Sequence, residues 1–253
     1  WWRSKLGLKT KIIAHRGASD DAPENTLSSI KEAFNQNSDG VEVDIRLTSD
    51  NHIVCHHDKS ALRTTGIDKE IKEMTLAEVK LLDCGSWFSC DWKNERIPKL
   101  DEVLRILPND KDIFIEVKTY KKIVPFLLKD IKKNEIDLDR LTVITFFPEV
   151  INEIKKNNPD IRCNLLIAFD YKEIRITEIL EAVVDIGANG VGAQNHEKLN
   201  IEFIQTLRGI NRTSHVWTVN SCSEAEEYLK NGIDSITTNK PLYLRSYLEK
   251  LNY

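Results

Sequence analysis

The stretch "GVEVDIRLTSDNHIVCHHD", residues 40–58, decides how the chain is built. Two β-rich apolar runs, 40–47 and 53–57, are separated only by "TSDNH". A parallel crossover needs roughly a dozen residues or more, so these runs form an antiparallel hairpin turning near Asp50-Asn51. With that turn, Asp44 is expected opposite His57, within a residue of register.

The remaining candidate strands are 11–15, 112–117, 142–146, 162–168, 190–192, 215–219 and 234–237. Helical patterns lie between them at 26–37, 99–107, 121–134, 148–157, 173–186, 200–208 and 223–231. Setting the hairpin's return arm aside leaves eight strands in strand–helix alternation, the count of a (β/α)8 TIM barrel. At 253 residues with 41% hydrophobic and 30% charged side chains, the chain fits one α/β barrel domain over 1–253. Residues 58–98 hold the helical "MTLAEVKLLD" but also the turn-rich "ALRTTG" and "GSWFSCDWKNERIP". They read as a small insertion over the barrel mouth.

Several classes are disfavoured. A formal net charge of −4 supplies no global field for nucleic acid or an anionic membrane. No apolar run of about 18 residues predicts a membrane-spanning helix. Five scattered cysteines without a CxxC pair suit a reduced intracellular protein better than a disulfide framework or zinc site. The chain opens Trp1-Trp2-Arg3, which leaves room for upstream residues, a removed leader among them.

The polar groups cluster where barrel enzymes place their sites, at the carboxyl ends of the strands. Strand one ends His15-Arg16, and strand two carries Glu42 and Asp44. The hairpin returns to His56-His57-Asp58, and "IFIEVK" carries Glu116 and Lys118. Strand alternation puts Glu42 with Asp44, and Glu116 with Lys118, on the interior face, leaving Val41, Val43 and Ile45 for the helices. Three converging carboxylates repel unless a cation sits among them. Oxygen-only donors favour Mg²⁺ or Ca²⁺, with Mn²⁺ also suited. The competing reading pairs these acids with Arg16, Arg46 and Lys118 as buried ion pairs. Three inward acids beside two histidines outweigh it.

His15 and His57 flank the expected ion and suit acid and base roles; His52, His196 and His215 read as structural, and His56 points away. Arg16 and Lys118 supply fixed positive charge for phosphate oxygens. Together these groups suit displacement at phosphorus.

At this point a resemblance emerges. "AHRG", "PENT", "GVEVDIRLTSD", "HHD", "RTTG", "GSWF", "IPKLDEVL", "IEVK", "VWTVN" and "TTNKP" run in order from residue 14 to 241, and the chain resembles the glycerophosphodiester phosphodiesterases. The resemblance implies a phospholipase-C-like phosphodiesterase barrel that hydrolyses glycerophosphodiesters to sn-glycerol 3-phosphate and an alcohol. It implies His15 and His57 as acid and base, Glu42, Asp44 and Glu116 as ligands of one divalent cation, and Arg16 with Lys118 at the phosphate. It adds Trp217 and Phe146 as an apolar ledge for the glycerol or leaving group. It suggests that Asn25 or Glu24 shapes the site, although Asn25 suits a helix cap. The length is that of compact cytoplasmic members.

Two departures stand out: Thr145-Phe146 where Ser-Phe is frequent, and Thr238-Asn239-Lys240-Pro241 where Thr-Asp precedes the proline. Neither is expected to touch a group that does chemistry. The expected partner is a small-molecule diester, with no nucleic acid and no stable membrane insertion; headgroup, ion and oligomeric state are left open. A lysophospholipase D or sphingomyelinase-D-like activity is the alternative, with Trp87, Phe88 and Trp92 as an acyl-accepting surface. A non-catalytic phosphodiester-binding barrel is more remote, because binding alone does not need the whole set.

Overall fold

Val41, Val43 and Ile45 alternate with Glu42 and Asp44 along a strand whose two faces meet different surroundings, and that alternation sets how the sheet curls. The computed structural model describes residues 10–170 and 175–251. The tryptophans at the start of the chain, and the first residues of the helix expected from 173, lie outside the described residues.

Strand β1 (Lys11–His15) leads through helix α1 (Leu27–Asn35) to β2 (Gly40–Leu47) and its antiparallel partner β3 (Ile53–Cys55). Short helices α2 (Leu62–Thr65) and α3 (Leu76–Leu81) belong to the insertion, and α4 (Leu100–Ile106) returns the chain to the barrel. Regular alternation follows: β4 (Asp112–Val117), α5 (Val124–Lys133), β5 (Leu141–Thr145), α6 (Pro148–Asn157), β6 (Arg162–Ile167), α7 (Ile176–Asp185). It finishes with β7 (Gly190–Gln194), α8 (Ile201–Gly209), β8 (Thr213–Trp217), α9 (Cys222–Asn231), β9 (Ser235–Thr238) and α10 (Pro241–Lys250). The last helix was not among those expected. Pro241 at its first turn, where no backbone N–H is needed, is the start signal that marks it.

Pairing of β1 with both β2 and β9 closes eight parallel strands into a barrel, and β3 rides antiparallel on β2. This is a (β/α)8 TIM barrel with a hairpin on its second strand. The hairpin register lies one residue from the pairing with His57, inside the expected bound. Ile45 pairs with Cys55, and the His56 N–H donates to the Asp44 carbonyl, so Asp44 faces His56. The cause is the turn: Thr48 and His52 close a three-residue loop in which Asn51 takes a left-handed φ of 63°.

Two apolar layers hold the barrel. Ile12, Ala14, Val41, Val43, Ile113 and Ile115 face the surrounding helices and are fully buried. Inside, Ile13, Phe114, Ile144 and Leu166 form a plug, with Trp217 packed against it. At roughly 25 cal/mol per Å² of buried apolar surface, such side chains contribute about 1.5–3 kcal/mol each against chain entropy. The insertion has its own small core of Val54, Ala61, Ile71, Met74, Val79, Cys84 and Ile97. Thr75 caps α3 through a reciprocal bond with Glu78. Among the described residues, no helix is long and apolar enough to cross a membrane.

Candidate active site

Strand register assembles the centre of the site. His15 is the backbone neighbour of Glu42, and Asp44 is the neighbour of Glu116. The chain then turns sharply: Arg16 has φ 55° and Gly17 has φ 81°. A Cβ on Gly17 would sit 2.5 Å from the Ser29 carbonyl carbon, so the turn requires glycine. This turn aims the Arg16 N–H at Glu42 Oε2, 3.0 Å away.

Asn25, expected as a helix cap, has a different task. Thr26 caps α1, accepting from Ser29 N–H, while Asn25 sits at φ 59° and clasps Asp44. Its Nδ2 donates to Asp44 Oδ2 at 2.9 Å, and its Oδ1 accepts from the Asp44 N–H at 3.0 Å. The cap lies one residue on because the Asn25 side chain is directed inward.

Glu42, Asp44 and Glu116 are buried, and each offers an oxygen within 4.8 Å of the others. Burial, then the charges of Asp44 and Glu116, push Glu42 well above the ordinary carboxylate range. Burial and Asp44 push Glu116 up to about 7. Burial acts on Asp44 in the same direction, but Arg16, Lys118 and His57 overcome it and hold the group at about 2.

The cations expected at phosphate lie against these acids. Arg16 Nε is 3.0 Å from Asp44 Oδ2, and Lys118 Nζ is 2.6 Å from Glu116 Oε1 and 3.7 Å from Asp44 Oδ1. With all three carboxylates ionised, two cations would leave net negative charge, which is why Glu42 and Glu116 are pushed toward their protonated forms; buried Glu42 Oε1 and Asp44 Oδ1 have no hydrogen-bond donor. Orphaned hard oxygen donors at this spacing fit a divalent cation.

Both histidines keep Nε2 for other work because Nδ1 is occupied. His15 Nδ1 lies 2.6 Å from Asn239 Oδ1, an acceptor, so the proton is on Nδ1 and the Nε2 lone pair faces Glu42 Oε2 at 4.0 Å. Burial, then Arg16, lower the His15 pKa to about 4. His57 Nδ1 lies 2.6 Å from Asp58 Oδ1. Burial lowers its pKa, with Asp44 opposing and Arg16 and Lys118 adding to the fall. Arg46 is a clamp: it donates to the His57 carbonyl through Nε (2.9 Å) and Nη2 (2.6 Å), and to the Lys118 carbonyl through Nη1 (3.1 Å). His56 turns away, between the Asp58 carbonyl and Thr64 Oγ1.

The contact to Asn239 corrects the expectation that this departure touches nothing of consequence. The signal was its place at the carboxyl end of the final strand. Glu24, named by the resemblance beside Asn25, does reach the site, whereas Asp58 and Arg63 were not expected there. Asp58 Oδ2 accepts from Arg63 Nε at 2.6 Å, and Glu24 accepts from both Arg63 and Arg16. Adjacency in "HHD" was the available sign for Asp58.

Phe146 and Trp217 meet edge to face, ring centroids 5.7 Å apart, and Lys118 Nζ lies 5.9 Å from the Phe146 ring. Trp217 serves two surfaces: it packs on the interior plug and donates Nε1–H to the Gly192 carbonyl at 3.0 Å. Phe146 is 39% exposed, so the pair forms a partly open apolar wall at the mouth.

Comparisons agree with this architecture. Residues 15–243 match the profile of the glycerophosphoryl diester phosphodiesterase family. A glycerophosphodiester phosphodiesterase of Caldanaerobacter subterraneus is 31% identical over 251 residues, covering 96% of this chain and 99% of the relative. A glycerophosphodiester phosphodiesterase of Bacillus subtilis is 27% identical over 246 residues, covering 90% of this chain and 83% of the relative. Among solved structures, an Oleispira antarctica phosphodiesterase in complex with the product sn-glycerol-3-phosphate superposes with a TM-score of 0.87 at 25% identity, covering 97% of this chain and 99% of that one. The match spans every strand end described above: the chain belongs to the glycerophosphoryl diester phosphodiesterase family.

Proposed function

We propose that this protein hydrolyses glycerophosphodiesters to sn-glycerol 3-phosphate and an alcohol with the help of one divalent cation, and that residues 1–253 work as one barrel domain with its insertion at about 58–98. The observation that carries the reading is the meeting of three buried carboxylates, two of their oxygens without a hydrogen-bond donor, with two histidines whose Nδ1 atoms are both engaged. Glu42, Asp44 and Glu116 would hold Mg²⁺ or Ca²⁺, with Mn²⁺ also suited to the oxygen donors. Such an ion supplies charge stabilisation at the phosphoryl oxygens when bound.

The chain's own residues account for the rest. Arg16 and Lys118 take the phosphate oxygens, trading part of their contact with Asp44 and Glu116 for the incoming anion. One histidine removes the proton from the attacking oxygen, either that of water, which gives sn-glycerol 3-phosphate directly, or the glycerol 2-hydroxyl, which gives a cyclic phosphate that a water then opens to sn-glycerol 3-phosphate with the two histidines exchanging roles. The bond from phosphorus to the leaving alcohol breaks, and the other histidine, which enters the step protonated on both ring nitrogens, gives its Nε2 proton to the departing oxygen. Asn25 keeps Asp44 oriented, and Phe146 with Trp217 shields one side of the mouth from water. The five cysteines are free, which suits a reducing cytoplasmic compartment.

The test is a panel of glycerophosphocholine, glycerophosphoethanolamine and related diesters with Mg²⁺, Ca²⁺ and Mn²⁺ varied, run beside His57→Ala. We expect ion-dependent release of sn-glycerol 3-phosphate, with His57→Ala lowering kcat by roughly 10²–10⁴-fold. No turnover of any diester with any of the ions would overturn the reading. Exposed Leu62, Ile67 and Trp87 on the insertion keep a lysophospholipase D activity in view as a second reading. Faster turnover of lysophosphatidylcholine than of glycerophosphocholine would select it.

A further inference from the structure

The insertion sends one side chain back to the barrel rim, and that side chain spends its whole guanidinium there. Arg63 on α2 donates Nε–H to Asp58 Oδ2 at 2.6 Å. Its terminal nitrogens donate to the two oxygens of Glu24 at 2.9 and 2.7 Å. The Trp87 ring lies 5.7 Å from its Cζ. Behind each carboxylate stands a group of the site. Asp58 Oδ1 is 2.6 Å from His57 Nδ1, and Glu24 Oε1 accepts from Arg16 Nη1 at 2.9 Å. Arg16 in turn lies 3.0 Å from Asp44. An unbroken series of alternating charges therefore runs Asp44–Arg16–Glu24–Arg63–Asp58–His57.

We infer that Arg63 is a positioning residue for phosphodiester hydrolysis, fixing Asp58 against His57 and Glu24 against Arg16 so that the histidine and the phosphate-facing guanidinium keep one mutual geometry. The inference rests on the reaction proposed above. Three oxygens on two carboxylates are met by one planar fork, an arrangement that a lysine's single ammonium cannot reproduce. Without it, each carboxylate keeps only its partner on the site side and is free to rotate.

The plain alternative is a surface ion pair of no consequence. Arg63's side chain is 42% exposed, and exposed pairs add little to stability. That smallness separates the two readings, because loss of Arg63 should leave folding nearly untouched while disturbing reaction geometry. Displacements of about 1 Å at such positions cost roughly 10²-fold in rate.

The experiment uses the full chain with Arg63→Ala and two readouts. In the first, glycerophosphocholine turnover is measured with divalent cation present. We expect kcat to fall roughly 10- to 100-fold with KM changed by less than about threefold, melting temperature nearly constant, and partial rescue by methylguanidinium but not methylammonium. In the second, which needs no substrate, ¹H–¹⁵N spectra follow the His57 Nδ1–H proton. We expect it strongly downfield in the parent, assigned by its loss in His57→Ala, and moved upfield or broadened in Arg63→Ala. Parent-level kcat in Arg63→Ala, equal rescue by methylammonium, or an unmoved Nδ1–H signal would each overturn the inference. A parent inactive on every diester whose Nδ1–H signal still responds to Arg63→Ala would overturn the substrate reading and leave the positioning role standing.

Discussion

His15 and His57 each reserve one ring nitrogen because the other is occupied, and the two occupants differ in charge. Asn239 offers a neutral amide oxygen to His15, whereas Asp58 offers a carboxylate to His57. Replacing Asn239 by leucine removes the acceptor at similar volume and frees the His15 ring to rotate or change tautomer. We expect Asn239→Leu to lower kcat roughly 10- to 100-fold at a nearly unchanged melting temperature, by analogy with other losses of a histidine's orienting partner. Steady-state kinetics with glycerophosphocholine beside a thermal melt checks it, and unchanged kcat would count against it. Below this layer, His215 is a purely structural imidazole, bonded at Nδ1 to Ser235 Oγ (2.7 Å) and at Nε2 to Thr237 Oγ1 (2.8 Å), and stacked on Phe114. Burial, with the neighbouring His15 adding, lowers its pKa to about 3. Unfolded, the same group takes a proton near pH 6.5, so between those values the unfolded chain binds more protons than the folded one. Its contribution is therefore complete above pH 6.5 and falls by roughly 1.4 kcal/mol per pH unit as pH drops. His215→Gln, which keeps a donor and an acceptor, should flatten the loss of stability between pH 6.5 and 5 in urea unfolding. An identical slope in the variant would exclude this source.

At the scale of elements, the connection from β1 to α1 concentrates the unusual backbone. Arg16, Gly17 and Asn25 all have positive φ, and the Asn25 N–H donates to the Arg16 carbonyl at 2.9 Å. Left-handed backbone at non-glycine residues is held by its surroundings, here by Asn25's bonds to Asp44 and by the Ser29 hydroxyl on the Arg16 carbonyl. Gly17→Ala should destabilise by roughly 2–4 kcal/mol, combining left-handed strain with the clash against Ser29. A denaturation midpoint equal to the parent's would show that the turn relaxes freely. The same elements show what was legible beforehand. Alternation in "GVEVDIR" was enough to separate inward acids from helix-facing valines, and the short "TSDNH" was enough to demand a hairpin. The one-residue register slip was not legible, because it depends on whether Asn51 adopts a left-handed turn, a choice both loop lengths allow. The final helix is hard to see in the sequence because Pro241, its first-turn residue, also closes the motif "TTNKP".

For the molecule as a whole, closure of the barrel makes one site out of residues far apart in the chain. Strand order and inward periodicity were readable, so the barrel and the convergence of Glu42, Asp44 and Glu116 could be expected. Contacts from loops were not: His15 meets Asn239 across 224 positions, and Arg63 meets Glu24 across 39, with no local pattern linking them. Closure also concentrates charge. Glu42 is buried beside Asp44 and Glu116, its Oε1 has no donor, and only Oε2 is engaged, by the Arg16 N–H. Folding the ion-free chain must overcome this repulsion, whereas a divalent cation that binds only the folded state relieves it, adding about 2.7 kcal/mol at a hundred times its Kd. Glu42→Gln keeps an oxygen for the Arg16 N–H and removes the carboxyl that, beside Asp44 and Glu116, must either hold a charge against them or take up a proton on folding. In chelator it should therefore melt higher than the parent, by roughly 2–4 °C for each kcal/mol of repulsion removed. On addition of Mg²⁺ or Ca²⁺ the parent should rise more than the variant, and the variant should lose most of its turnover. Differential scanning calorimetry of both proteins, with chelator and with each ion, makes the comparison. A variant that melts below the parent in chelator, or that gains as much from the ion, would show that these acids are balanced by Arg16 and Lys118 alone.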